Sequence, residues 1–309
     1  MKLVFLGTPD FAVEPLKAIA KSKHEILAVV TQPDRPTDRG HKIAMSAVKV
    51  CAKELNLPVL QYNKLRVDGV NDLKQLAPDI MVTCAYGQIL SQEIIDIPKF
   101  GIINIHASLL PKLRGAAPIA RAVIDGETTS GVTLMRTERG IDTGDILMAE
   151  AVDIGPDETT GELFERLSKL GAEMIVKGLD LIESGKAVFT PQDDNFATYA
   201  KMIEKEEGKM NFSKSAQSLK NLVRGMNPKP TAYFTLGDVS VKVYKTHVVD
   251  EEFGGEAGEV VESDKKKGLY VKCGEGVLSI DELQYPNGKR LSVKDFLNGR
   301  DIPKGTILE

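Results

Sequence analysis

The first half of the chain alternates short apolar runs with amphipathic stretches. The runs are Leu3–Leu6, Ile26–Val30, Ile80–Val82 and Ile102–Ile105. Between them, Phe11–Ala20, Ser46–Leu55 and Ala116–Ile124 carry helical spacing. This order predicts βαβ units and a Rossmann-like, mostly parallel sheet with helices on both faces. Strands buried on both faces read as continuous apolar runs rather than as alternating ones. Gly131–Arg136 and Ile146–Val152 add two further strands. Thr159-Thr160-Gly161-Glu162 has the pattern of a capping box, and Leu163, Leu167, Leu170 and Met174 continue from it along one helical face. Gly185 is the expected stop.

The pattern changes after residue 186. Polar and charged clusters around Pro191 mark 187–207 as a linker. A helix is predicted over Ala216–Met226, ended by Asn227-Pro228. Short strands follow around Val239–Val243, Val260–Val261, Leu269–Val271 and Val277–Ile280, with Gly-rich turns between them. They predict a small β-barrel or sandwich. The expected organisation is therefore a catalytic domain over 1–186, the linker, and a C-terminal domain over 208–309.

Composition narrows the function. The 309 residues carry a net charge of −4, which excludes a wholly basic nucleic-acid binder but allows a local basic patch. Three scattered cysteines, with no Cys-x-x-Cys pair, argue against a disulfide framework, a metal knuckle or a redox dithiol. The sequence shows no signal-peptide pattern and no apolar run long enough to span a bilayer, so a cytoplasmic enzyme is expected.

The segment Gly101-Ile102-Ile103-Asn104-Ile105-His106-Ala107-Ser108-Leu109-Leu110-Pro111 carries the strongest chemical signal. Side chains alternate along a strand, so Asn104 and His106 share one face and Ile103 and Ile105 the other. Polar groups buried there need partners or a purpose, since an unpaired one costs about 1–3 kcal/mol. They sit at the carboxyl end of a strand, where open α/β sheets bind ligands. A lone buried His is more often a satisfied core group; the neighbouring Asn and the loop that follows favour catalysis. In that loop, Arg114 suits a carboxylate or phosphate, or is a solvated loop residue. Asp142, between Gly140 and Gly144, reads by itself as an ordinary turn aspartate.

Taken together, Asn104-Ile105-His106, Ser108–Pro111, Arg114-Gly115-Ala116-Ala117-Pro118 and Asp142-Thr143-Gly144-Asp145 resemble the formyltransferase family that uses 10-formyltetrahydrofolate. Gly7-Thr8-Pro9-Asp10-Phe11, Thr31–Pro36, Ala85-Tyr86-Gly87 and Asn227-Pro228 extend the resemblance across the chain, toward its tRNA-directed members. The resemblance implies a Rossmann-like catalytic domain, a C-terminal OB-fold-like barrel, and formyl transfer to the α-amine of initiator Met-tRNA. It implies that Asn104, His106 and Asp142 are catalytic and that Ser108, Leu109, Leu110 and Pro111 line the folate site. Asp142 either orients His106 or relays a proton. No metal is called for.

Arg35, Arg39 and Lys42 lie in a polar loop over 31–42, which by charge alone reads equally as a solvated loop. In the resembled tRNA-directed enzymes this loop reaches the acceptor end. Lys220 and Arg224, four apart on one helix, are further candidates for phosphate contact. Lys265-Lys266-Lys267 reads as a solvated turn. The competing functions are a formyltetrahydrofolate enzyme acting on a small amine or hydrolysing the donor, and a non-catalytic nucleotide or RNA binder. No Gly-x-Gly-x-x-Gly follows Gly7, so a dinucleotide fingerprint is missing.

Overall fold

A computed structural model describes residues 1–36 and 43–309. The chain forms two compact units, and neither is a continuous stretch. The first gathers Met1–Pro118, Ser130–Val152 and Phe164–Ala200; the second gathers Ile119–Thr129, Asp153–Leu163 and Lys201–Glu309.

The first unit is built on a seven-stranded sheet. Its strands are β1 (Lys2–Gly7), β2 (Glu25–Thr31), β3 (Val59–Gln61), β4 (Ile80–Cys84), β5 (Ile102–His106), β6 (Thr129–Arg136) and β7 (Ile146–Asp153). They lie in the order β7-β6-β5-β4-β1-β2-β3. The pairs β1/β2, β1/β4, β2/β3 and β4/β5 are parallel, whereas β5/β6 is antiparallel. The chain runs outward from β1 through β2 and β3, then returns to place β4 on β1's other side. This is the reversal of strand order beyond which α/β sheets open a ligand crevice.

Helices α1 (Val13–Ala20), α2 (Ala47–Glu54), α3 (Leu65–Asp68), α4 (Val70–Leu76), α5 (Gln92–Ile95), α6 (Pro118–Ile124) and α7 (Thr160–Glu183) fall between and after these strands. Val4, Leu6, Met81 and Ile102 share a buried cluster with Leu65, Leu73 and Ile94, so α3, α4 and α5 cover one face. α7 lies on the opposite face. A Cβ at Gly171 would stand 2.9 Å from Ile105, and one at Gly178 would stand 2.8 Å from Leu134. The small residues of α7 thus let it lie directly on β5 and β6. Its capping box forms as expected: Thr159 N–H donates to Glu162 Oε2 at 2.8 Å, and Glu162 N–H donates to Thr159 Oγ1 at 3.3 Å.

The second unit holds α8 (Ala216–Gly225), α9 (Val293–Gly299) and an antiparallel sheet. Its strands are β8 (Ala232–Leu236), β9 (Val239–Val249), β10 (Val260–Asp264), β11 (Gly268–Lys272), β12 (Val277–Gln284) and β13 (Arg290–Ser292). They follow the order β8-β9-β12-β11-β10, with β13 on β12. The last residues join the two sheet edges. Val260 N–H donates to Thr306 O, Leu308 N–H donates to Gly258 O, and Thr235 exchanges backbone bonds with Glu309. Unpaired strand edges are thereby covered. The interior is packed with Phe234, Val241, Val243, Leu269, Val271, Leu278 and Ile280, with Leu219 and Val223 of α8 against it. Asp264 Oδ1 accepts the N–H groups of Lys266 and Lys267, closing the basic turn between β10 and β11.

The segment expected as a linker is partly woven into the first unit. Thr190 exchanges backbone bonds with Ile146, and Tyr199–Ala200 pair in parallel with Arg114–Gly115. Polar composition marked it as a connector because these bonds are made by backbone atoms, which sequence hydrophilicity does not report.

Candidate active site

β5 carries Asn104 and His106 on the face opposite Ile103 and Ile105. In register, Asn104 stands beside Thr83 of β4 and Met135 of β6, and His106 stands beside Thr133. Thr83 Oγ1 donates to Asn104 Oδ1 at 2.9 Å. That bond occupies the amide oxygen and turns the Nδ2 hydrogens away as donors.

His106 is 5% exposed. Its Nε2 lies 3.0 Å from Leu113 O, and its Nδ1 lies 3.5 Å from Asp142 Oδ2. A carbonyl only accepts, so Nε2 carries the hydrogen. Nδ1 then faces the carboxylate, with a lone pair in the neutral ring and a hydrogen in the charged one. A proton arriving at Nδ1 lands beside a negative charge.

The loop after β5 is fixed from below. Thr133 Oγ1 donates to Ser108 O at 2.7 Å and accepts Leu110 N–H at 3.1 Å. Ser108 Oγ donates to Lys112 O at 2.7 Å, so this buried hydroxyl shapes the loop. Leu109 packs over Gly131, where a Cβ would come within 2.5 Å of it. Leu110 is buried, and Leu109 and Pro111 are half-buried.

Arg114 is not a solvated loop residue. It is 1% exposed, and its Nε and Nη2 donate to Gln192 Oε1 at 3.1 and 2.8 Å. Nη2 also donates to Asp194 Oδ1 at 2.7 Å. Burial works against its charge, but hydrogen bonds to Asp194 and Tyr199 hold the guanidinium above its ordinary pKa. The carboxylate it binds is the protein's own.

Asp142 sits at φ +53°, in the left-handed region that few non-glycine residues adopt. Gly144 must be glycine here, because a Cβ would fall 2.1 Å from Arg136 O. Asp142 Oδ2 accepts Gly115 N–H at 2.8 Å, and Gln192 Nε2 donates to Asp142 O at 2.8 Å. His106 and Asp142 therefore meet at the end of β5, with Asn104 two residues earlier on the same strand face. Thr83 and Gln192 were missed. Thr83 ends an apolar run that reads as pure core, and Gln192 lies 50 residues from the aspartate it supports.

The structure corrects the reading of Arg224 as a surface cation. It is 8% exposed, and its N–H groups donate to Asn221 Oδ1, Gly155 O and Glu158 O. Burial pushes its pKa below the ordinary value. Helical spacing placed Arg224 and Lys220 on one face, but that face is covered by the 153–163 segment of the same unit. Lys220 Nζ reaches Asp157 at 2.6 Å. Arg35 is exposed, and its Nη2 donates to Gln32 Oε1. Arg39 and Lys42 lie outside the described residues.

Cys51, Cys84 and Cys273 are free and buried, and burial pushes the Cys273 thiol up to about 11, far from a reactive thiolate. Among the described residues, His24, Asp180 and Glu183 could gather three metal ligands, but both carboxylates are already paired with Lys23.

Comparison with known proteins covers both units. The model of the formyl transferase family matches residues 1–179, and that of the formyl transferase C-terminal domain matches residues 202–301. A methionyl-tRNA formyltransferase of Clostridioides difficile (strain 630) is 46% identical over 309 residues, covering 100% of both chains. One from Alkaliphilus metalliredigens (strain QYMF) is 45% identical, over 100% of this chain and 98% of the relative. Among solved structures, a sugar 3N-formyl transferase in the presence of dTDP and 5-N-formyl-THF shares the fold at TM-score 0.69. It is 22% identical and covers 94% of this chain and 99% of its own.

Proposed function

The chain belongs to the formyl transferase family, and from that premise we infer that it moves the formyl group of 10-formyltetrahydrofolate to the α-amine of initiator Met-tRNA, yielding N-formylmethionyl-tRNA. The observation that carries the chemistry is His106 Nδ1 facing Asp142 Oδ2 across 3.5 Å, with Asn104 two residues earlier on the same strand face.

The neutral amine attacks the formyl carbon, and a tetrahedral intermediate forms with its charge on oxygen. Asn104 Nδ2 is the donor for that oxygen, a contribution typically worth about 3 kcal/mol. The amine must lose a proton as the new C–N bond forms. His106 Nδ1 takes it, because Nε2 is already committed to the Leu113 carbonyl. The Asp142 carboxylate then stabilises the imidazolium. The bond to the folate nitrogen breaks as that nitrogen regains a proton, which the charged His106 returns. General acid–base help of this kind contributes roughly 10²–10⁴ in rate.

Ser108–Pro111 are read as the folate-side wall. Thr133 stabilises that segment from beneath by holding its backbone, which supports a preformed pocket edge. Arg35, Arg39 and Lys42 are read as the contacts to the tRNA acceptor end. Residues 1–186 are read as the catalytic part. Among the described residues no helix is long and apolar enough to cross a membrane. We place the enzyme in the cytoplasm, with the translation step it is read as serving.

The test is formylation of Met-tRNA by purified protein with 10-formyltetrahydrofolate. Free methionine and uncharged tRNA serve as controls. Formyl-Met-tRNA alone as product is expected. Donor consumption without transfer would replace this reading with a hydrolase, and no consumption would replace it with a binding protein.

A further inference from the structure

Gln192 bonds both to the backbone of the Asp142 turn and to the arginine that precedes Gly115. Its Nε2 donates to Asp142 O at 2.8 Å and to Gly144 O at 2.7 Å. Its Oε1 accepts both Nε and Nη2 of Arg114. A carboxamide has two hydrogens and two lone pairs, so this one is fully used. One side fixes the backbone of the Asp142 turn. The other fixes the arginine next to Gly115, whose N–H holds the Asp142 carboxylate at 2.8 Å. The backbone and the carboxylate of Asp142 are thus tied to the same amide by separate routes.

The turn needs such a tie. Asp142 lies at φ +53°, its neighbour Ile141 is 66% exposed, and no regular element spans 137–145. Conformations outside the favoured regions persist only when their surroundings over-determine them. Here the surroundings include Gly115 N–H on the carboxylate, Arg136 N–H on Asp145 O, and the Gln192 side chain from a distant, polar segment, itself anchored by Thr190 on Ile146 and by Ala200 on Ala116.

We propose that Gln192 is a positioning residue for formyl transfer: it holds the Asp142 carboxylate against the His106 ring without touching either reacting group. This rests on the roles assigned above to His106 and Asp142. The geometry also separates two functions within one side chain. Gln192→Glu keeps an oxygen for Arg114, now as an ion pair, but replaces the two N–H donors by lone pairs facing the Asp142 and Gly144 carbonyls. Gln192→Ala removes both sides.

The experiment measures kcat, both KM values and thermal melting for the full chain, comparing wild type, Gln192→Glu and Gln192→Ala. Misplacing a reacting group by ~1 Å costs up to roughly 10²-fold in rate, so Gln192→Glu is expected to lose about 10- to 100-fold in kcat. Its KM for tRNA and folate should stay within about twofold, as befits an interaction made in the transition state. Gln192→Ala should lose kcat similarly and also melt earlier. Wild-type kcat in folded Gln192→Glu would overturn the positioning role and leave the formyltransferase reading intact. A fall in kcat matched by the loss of folded protein, or a rise in KM alone, would also overturn it. An inactive wild type would overturn both readings.

Discussion

Asn104 and His106 reach the site on a strand, whereas Asp142 reaches it on a turn. The strand pair is held by the sheet: β4 and β6 flank β5, and α7 lies on its far face through Gly171. Moving either residue would mean moving the core. Asp142 has no such frame. Its turn is held by two bonds from Gln192, one to Gly115 N–H and, at its far end, one from Arg136 N–H to Asp145 O. One partner of the His106–Asp142 pair is therefore set by hydrophobic packing and the other by a handful of polar contacts. The strand side should tolerate perturbation of its surroundings, and the turn side should respond to single atoms.

The largest expected effect is on the strand side, by direct removal. His106→Ala should lower kcat by about 10³-fold or more, read by Met-tRNA formylation under saturating substrates. Asn104→Ala should cost roughly 10²–10³ in kcat with little change in KM, since the oxyanion exists only along the reaction path. A KM effect alone would place Asn104 in ground-state binding.

Next comes the turn. Asn tolerates a left-handed φ, and its amide oxygen can still accept Gly115 N–H, so Asp142→Asn removes the charge while keeping the backbone path. A fall in kcat of about 10²-fold is expected from the lost carboxylate. Full activity would show that placement, not charge, is what the turn supplies. Thr83→Val frees Asn104 Oδ1 while conserving shape. It should cost only about 1 kcal/mol, several-fold in kcat, because β5 still fixes the Asn104 backbone.

The smallest effect on turnover is expected at Arg224. Arg224→Met deletes buried bonds to Asn221, Gly155 and Glu158 and should lower stability by about 1–3 kcal/mol in denaturant titrations, with kcat unchanged below the melting range. A large rise in KM for Met-tRNA with unaltered stability would restore it as an RNA contact.

The same contrast explains what could be read in the sequence. The strand half was legible because period-two alternation puts Asn104 and His106 on one face wherever the strand ends up. The antiparallel β6 was legible only as a strand, since direction is set by the connection and not by composition. β3 was missed: Val59–Gln61 is three residues long, too short to register as a run. Asp142 was legible through its motif but not through physics, because what makes it special is a bond to residue 115 and another to residue 192. Arg224 failed in the opposite direction. Its spacing on α8 was read correctly, but the segment that covers it comes from more than 60 residues earlier.

The central claim is that a strand residue and a turn residue act as one proton-handling unit across 3.5 Å. A double-mutant cycle on formylation kcat, with His106→Ala, Asp142→Asn and the double variant, tests it most directly. The account predicts strong non-additivity: once His106 is gone, Asp142→Asn should change the rate by less than about twofold. Losses that multiply across the two sites would show that Asp142 serves the reaction independently of His106, and the paired mechanism would be wrong.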